Sequence, residues 1–105
     1  MDGLSVIIPS RNEKYLEPTI RNILENARGE IEILVVLDGW IPDPRIEIGD
    51  DRVHFFHFEE SIGQRQSINY AAKQAKGKYV MKLDAHCAMD RDWETNALCH
   101  LRSLF

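Results

Sequence analysis

Two runs of apolar, largely β-branched residues leave this chain little choice of architecture. Leu4-Ser5-Val6-Ile7-Ile8-Pro9 and Glu32-Ile33-Leu34-Val35-Val36-Leu37 are nearly continuous rather than alternating. A strand with one wet face alternates apolar and polar residues, so continuous runs read as strands buried on both faces. Such strands need cover above and below. The segment between them can supply it: Leu16, Ile20, Ile23, Leu24 and Ala27 recur at helical spacing. Pro18 suits the first turn of that helix and Gly29 its close.

The alternation continues. Trp40–Asp51 holds Pro42, Pro44 and Gly49 and reads as loop, and Val53-His54-Phe55-Phe56-His57-Phe58 reads as a third strand, its His content placing it nearer an edge. Gly63 introduces a second helix, in which Ile68, Ala71, Ala72 and Ala75 form a narrow, mostly small stripe that lets the helix lie close on a sheet. Lys76-Gly77 ends it, and Lys78-Tyr79-Val80-Met81-Lys82-Leu83 is a fourth strand. Asp90 suits the N-cap of a last helix whose apolar face is Ala97, Leu98, Leu101, Leu104 and Phe105. This order predicts an α/β fold: one domain over residues 1–105, with an open, mostly parallel sheet flanked by helices. The apolar face of the last helix is a candidate surface for self-association.

Charge narrows the partners. A formal net charge of -4 argues against a nucleic-acid binder, which carries a basic face, but leaves room for a single nucleotide. No apolar run reaches the length of a membrane span, and Met1-Asp2-Gly3 lacks the basic start of a secretory leader. Cys87 and Cys99 are too few for a disulfide framework, so a reducing, cytoplasmic setting is expected.

In open parallel sheets ligands bind beyond the carboxyl ends of the strands, where strand order reverses. Three polar features fall at such ends: Ser10-Arg11-Asn12-Glu13, Asp38, and Asp84-Ala85-His86. Asp84 and His86, two residues apart past a strand, can reach one ion. Carboxylate plus imidazole suits Mn²⁺ better than Mg²⁺, which prefers oxygen ligands. The alternative is a strand-end Asp capping backbone amides beside a surface His. Asp38 can accept from a base N–H or ribose hydroxyls, or cap the turn with Gly39. Arg11 and Glu13 can contact a base or phosphate, or solvate their loop. The dinucleotide fingerprint, the phosphate loop and the hydrolase Gly-x-Ser-x-Gly elbow are all absent. His86-Cys87 with Cys99-His100 offers a zinc-like donor set, yet without the usual paired-cysteine spacing.

Taken in order, these segments resemble the nucleotide-binding half of the GT-A glycosyltransferases, family 2 in particular. The matching stretches are Ser5–Pro9 with Asn12-Glu13, Val35-Val36-Leu37-Asp38-Gly39, the Gly63–Ala75 helix, and Gly77-Lys78-Tyr79-Val80 leading into Leu83-Asp84-Ala85-His86. The resemblance implies a Rossmann-like GT-A half that binds a nucleotide-diphosphate sugar, a UDP-sugar above all, for transfer to an unidentified hydroxyl acceptor. It implies that Pro9, Arg11, Glu13 and Asp38 contact the base. It further implies that Asp84 approaches ribose and metal, and that His86 binds the metal holding the diphosphate. The chain departs from the family pattern in three places. Leu37 stands where a first acid is common. Asp-x-His replaces Asp-x-Asp, as in polypeptide N-acetylgalactosaminyltransferases, which retain anomeric configuration where family 2 inverts it. Ser67-Ile68-Asn69 replaces an Ala-Arg-Asn-like run, with Arg65 one turn earlier as the candidate substitute charge. The resemblance also places the acceptor-binding half and any general base beyond Phe105, so the chain is expected to be truncated and inactive alone. Two other functional classes fit the same residues: a nucleotide-holding module without turnover, and a zinc-stapled structural domain.

Overall fold

The computed structural model describes residues 3–27 and 29–83. Within them the chain forms β1 (Leu4–Ser10), α1 (Leu16–Asn26), β2 (Ile31–Asp38), β3 (Val53–Phe58), α2 (Gln64–Gln74) and β4 (Tyr79–Lys82). The strands make one four-stranded sheet in the order β3-β2-β1-β4, and every pairing is parallel. From β1 the chain steps outward through β2 to β3, then returns to the far side of β1. The order therefore reverses between β1 and β4. Asp84, His86, the Cys87 and Cys99-His100 donor set and the expected last helix lie outside the described residues.

The continuous apolar runs are explained by the two helices, one on each face. Leu4, Val6 and Ile8 of β1 and Ile31, Ile33, Val35 and Leu37 of β2 meet Leu16, Ile20 and Ile23 of α1. On the other face Ile7, Leu34 and Val36 meet Ala71 of α2, with Ile68 and Ala75 against them. All eight residues of β2 are buried in consequence. Each large aliphatic side chain so buried favours the fold by about 1.5–3 kcal/mol over leaving it exposed. β3 lies at the sheet edge, as its composition predicts, with Val53, Phe56 and Phe58 half-buried and His54, Phe55 and His57 exposed.

Two details differ from the sequence reading. α1 stops at Asn26, and Ala27 is already extended at ψ 135, because the chain must straighten to enter β2 at Ile31. Gly29 therefore lies past the cap. In α2 the buried positions are Ser67 and Ala71, whereas Ala72 is exposed. One residue is 100° of helical turn, enough to carry Ala72 off a stripe this narrow.

Pro9 sits inside a central strand without breaking it. Neighbouring residues of a parallel strand turn their backbone groups to opposite sides. Gly3 and Ile7 accept from Tyr79 and Leu83 on the β4 side, whereas Leu4 donates to Glu30 on the β2 side. Pro9 shares the parity of Ile7, so its missing N–H faces β4, whose paired residues end at Lys82. At the start of β3, Arg52 donates to both Asp50 carboxylate oxygens (2.7 and 3.0 Å) and its carbonyl accepts from Ile33 N (2.7 Å). The Arg52 side chain, then its backbone N–H, hold the Asp50 carboxyl well down, at about 2.

The amino edge of the sheet carries a buried polar relay. Gly77 N donates to Ser5 Oγ (2.8 Å), Ser5 Oγ donates to Glu32 Oε2 (2.6 Å), and Lys76 N donates to the same oxygen (2.5 Å). Ser5 and Glu32 are both buried. The relay ties the turn between α2 and β4 to the two central strands, at the end of the sheet away from the polar loops.

Candidate functional site

The opposite, carboxyl edge is where the sequence-predicted residues gather. Ser10 ends β1 and Asp38 ends β2, side by side because Ser10 is paired with Leu37. Beyond Ser10 the chain turns through Asn12 at φ 55, a left-handed conformation that Asn tolerates better than most residues. Glu13 O then accepts from Leu16 N (3.4 Å) as α1 begins. Asn12→Val should cost about 1–2 kcal/mol, because a β-branched residue resists φ > 0, while Asn12→Gly should be neutral or better; urea unfolding of both variants checks this.

Arg11 is exposed, Glu13 half-buried and Pro9 half-buried within β1. Glu13 lines a cavity of about 600 Å³ together with Lys14, Trp40, Pro42 and Pro44. Trp40 joins the two loops: its indole Nε1 donates to Ser10 O (2.8 Å). Next to that bond Ser10 Oγ is buried and, among the described residues, has no partner. A buried hydroxyl left so costs about 1–3 kcal/mol. A second cavity of about 310 Å³ lies under residues 41–47, against Leu37, Phe55 and His57.

Asp38 is the most heavily engaged residue of this edge. Its Oδ2 accepts from Ser61 Oγ (2.9 Å) and Gly63 N (3.0 Å), and its Oδ1 accepts from Ile62 N (2.7 Å). It is 4% exposed. The turn with Gly39 is not what it caps; Gly39 N donates instead to Phe58 O (2.9 Å). Gly63, at φ 88, is the N-cap of α2 and has no side chain to offer, and Asp38, from another element, takes up the N–H groups just ahead of the helix. Arg65 follows on the first turn of α2 and is exposed. The structure thus brings Ser10–Glu13, Asp38 and the amino end of α2 to one edge.

Sequence reading missed Trp40 as the tie between the loops and Ser61–Gly63 as the partners of Asp38. The one available signal for the latter was Gly63 ahead of a helix with no capping side chain of its own. Among the described residues no group of three or more His, Cys, Asp or Glu could hold a metal ion.

Residues 5–102 match the family described as Glycosyl transferase family 2. The chain belongs to that family. Its family 2 relatives include the glycosyltransferase TuaG of Bacillus subtilis, named for teichuronic acid biosynthesis, 32% identical over 101 residues covering 90% of this chain and 38% of TuaG. The domain therefore spans about two fifths of that relative's length. Among solved structures, Staphylococcus aureus TarS 1-349 superposes with a TM-score of 0.75 at 22% identity, over 94% of this chain and 32% of the 1-349 chain. The mannosyltransferase PcManGT of Pyrobaculum calidifontis, solved in complex with GDP-Man and Mn²⁺, gives 0.69 at 21% identity, over 88% of this chain and 30% of its own. Both share the fold, an open parallel sheet flanked by helices. Among the described residues of the family 2 domain, no helix is long and apolar enough to cross a membrane.

Proposed function

We propose that this family 2 domain binds a nucleotide-diphosphate sugar, with UDP as the nucleotide, along the carboxyl edge of β1, β2 and β4. In this reading Pro9, Arg11 and Glu13 face the base, Asp84 approaches the ribose, and Arg65 faces the diphosphate. The sugar passes to a hydroxyl acceptor held by chain outside this stretch, which also supplies the general base. The observation that carries the reading is the convergence of the post-β1 loop, Asp38 and the α2 amino end at one edge. That edge borders the β1/β4 reversal, and β4 leads in sequence to Asp84 and His86.

The donor set of one carboxylate and one imidazole fits a divalent cation, Mn²⁺ before Mg²⁺, and PcManGT was solved with Mn²⁺. When bound there, such an ion offsets charge developing on the leaving diphosphate. Arg65 adds fixed positive charge for the same end, which is useful only if it is already in place as the sugar–oxygen bond breaks. We place the domain in the cytoplasm, where two reduced thiols are stable.

Titration calorimetry with UDP, with and without Mn²⁺, tests this. The wild-type chain should bind UDP in a Mn²⁺-dependent way, and Asp84→Ala should weaken binding at least about tenfold by removing a ligand of the ion. No heat at millimolar UDP with Mn²⁺ present would overturn the proposal. Zinc that co-purifies tightly, with unfolding on chelation, would replace it with a structural role.

A further inference from the structure

We infer that Asp38 is a positioning residue for the nucleotide site, acting through the amino end of α2 and not by touching the base. The inference rests on the nucleotide-binding reading above. A carboxylate offers about four lone-pair positions. Three of them are taken by Ser61 Oγ, Ile62 N and Gly63 N. Only one position on Oδ1 is left, on a residue 4% exposed. The carboxylate is thus committed to the β3–α2 connection, with room for at most one further donor.

The neighbouring residue strengthens the tie. Gly39 has φ 78, its N–H donates to Phe58 O (2.9 Å), and a Cβ on it would stand 2.9 Å from Ser61 N. Asp38 and Gly39 thus hold both ends of the β3–α2 connection, Phe58 on one side and Ser61–Gly63 on the other. What this fixes is the first turn of α2, with Arg65 on it. The Asp38 carboxylate lies against Ile62 N and Gly63 N and offsets part of the positive end of α2, so a diphosphate there gains from a side-chain cation. Arg65 is the cation on that turn, and Asp38 sets where the turn stands.

The test is calorimetric titration of UDP, CDP and GDP with Mn²⁺ into the wild-type chain, Asp38→Asn and Ser61→Ala, with thermal unfolding of each. Asp38→Asn keeps at most two of the three bonds, and Ser61→Ala loses one while leaving the carboxylate. Both should weaken all three nucleotides by a common factor, about threefold to tenfold, at temperatures where each variant is fully folded. The ratios of Kd among the nucleotides should stay as in wild type. If Asp38→Asn changes those ratios while Ser61→Ala changes nothing, Asp38 reads the base and the inference fails. If both variants melt earlier but bind as wild type does, the tie is purely structural and the inference again fails. If wild type binds none of the nucleotides, the site reading falls first, and the inference with it.

Discussion

Gly77→Ala is expected to destabilise the domain by about 3 kcal/mol or more, a large share of the 5–15 kcal/mol typical of a small domain. A Cβ at residue 77 would lie 2.6 Å from Ser5 Oγ, 2.7 Å from Ser5 N and 2.9 Å from Gly3 O. Two of these atoms are backbone of the β1 side of the β1–β4 seam, where no side chain can swing away. Gly77 N also feeds the relay through Ser5 Oγ to Glu32, so any shift that relieves the clash lengthens buried hydrogen bonds. Urea unfolding should show a lower midpoint with an unchanged slope. Gly49→Ala is the control, because nothing lies within 4 Å of a Cβ there. Equal stability of the two variants would contradict the close approach at Gly77.

Asp38→Ala is expected to cost about 2–4 kcal/mol, because hydrogen bonds to a charged acceptor are worth about 1.5–3 kcal/mol each and do not add fully. The backbone N–H groups of Ile62 and Gly63, at the amino end of α2, lose their partner. Asp38→Asn should recover about half of this, since an amide has one acceptor oxygen and presents a donor to donors at the other. Amide hydrogen exchange localises the effect: Ile62 and Gly63 should exchange faster in Asp38→Ala, while Val6 and Ile33 in the central strands follow only the global change. Unaltered exchange at Ile62 and Gly63 would show that these bonds do not form.

How far the sequence reached follows from which interactions are local. β1 and β2 were legible because burial on both faces leaves continuous apolar runs, and β3 because an edge strand carries polar residues such as His54 and His57. The parallel order followed from the alternation with helices. The end of α1 and the exposure of Ala72 were not legible. The first depends on where the chain must turn toward Ile31, the second on a helix contact only about two residues wide. For the site, the strand-end positions of Ser10–Glu13 and Asp38 could be read directly. The partners of Asp38 could not, since Ser61, Ile62 and Gly63 are 23 to 25 residues away and are brought to it only by β3 pairing beside β2. The same holds for the Trp40–Ser10 bond, which spans 30 residues. Asp84 and His86 rest on the order of motifs and on family membership.

Paramagnetic broadening of amide signals by Mn²⁺ in the presence of UDP tests most directly where the nucleotide and its ion sit. In a proton–nitrogen correlation spectrum of the chain, signals of Ser10–Glu13, Asp38–Trp40 and Ser61–Arg65 should broaden first. Those of Gly3, Ser5, Glu32 and Gly77, at the amino edge, should stay sharp at the same Mn²⁺ concentration. Broadening centred on the amino edge, or spread evenly over both, would contradict a nucleotide site at the carboxyl ends of the strands.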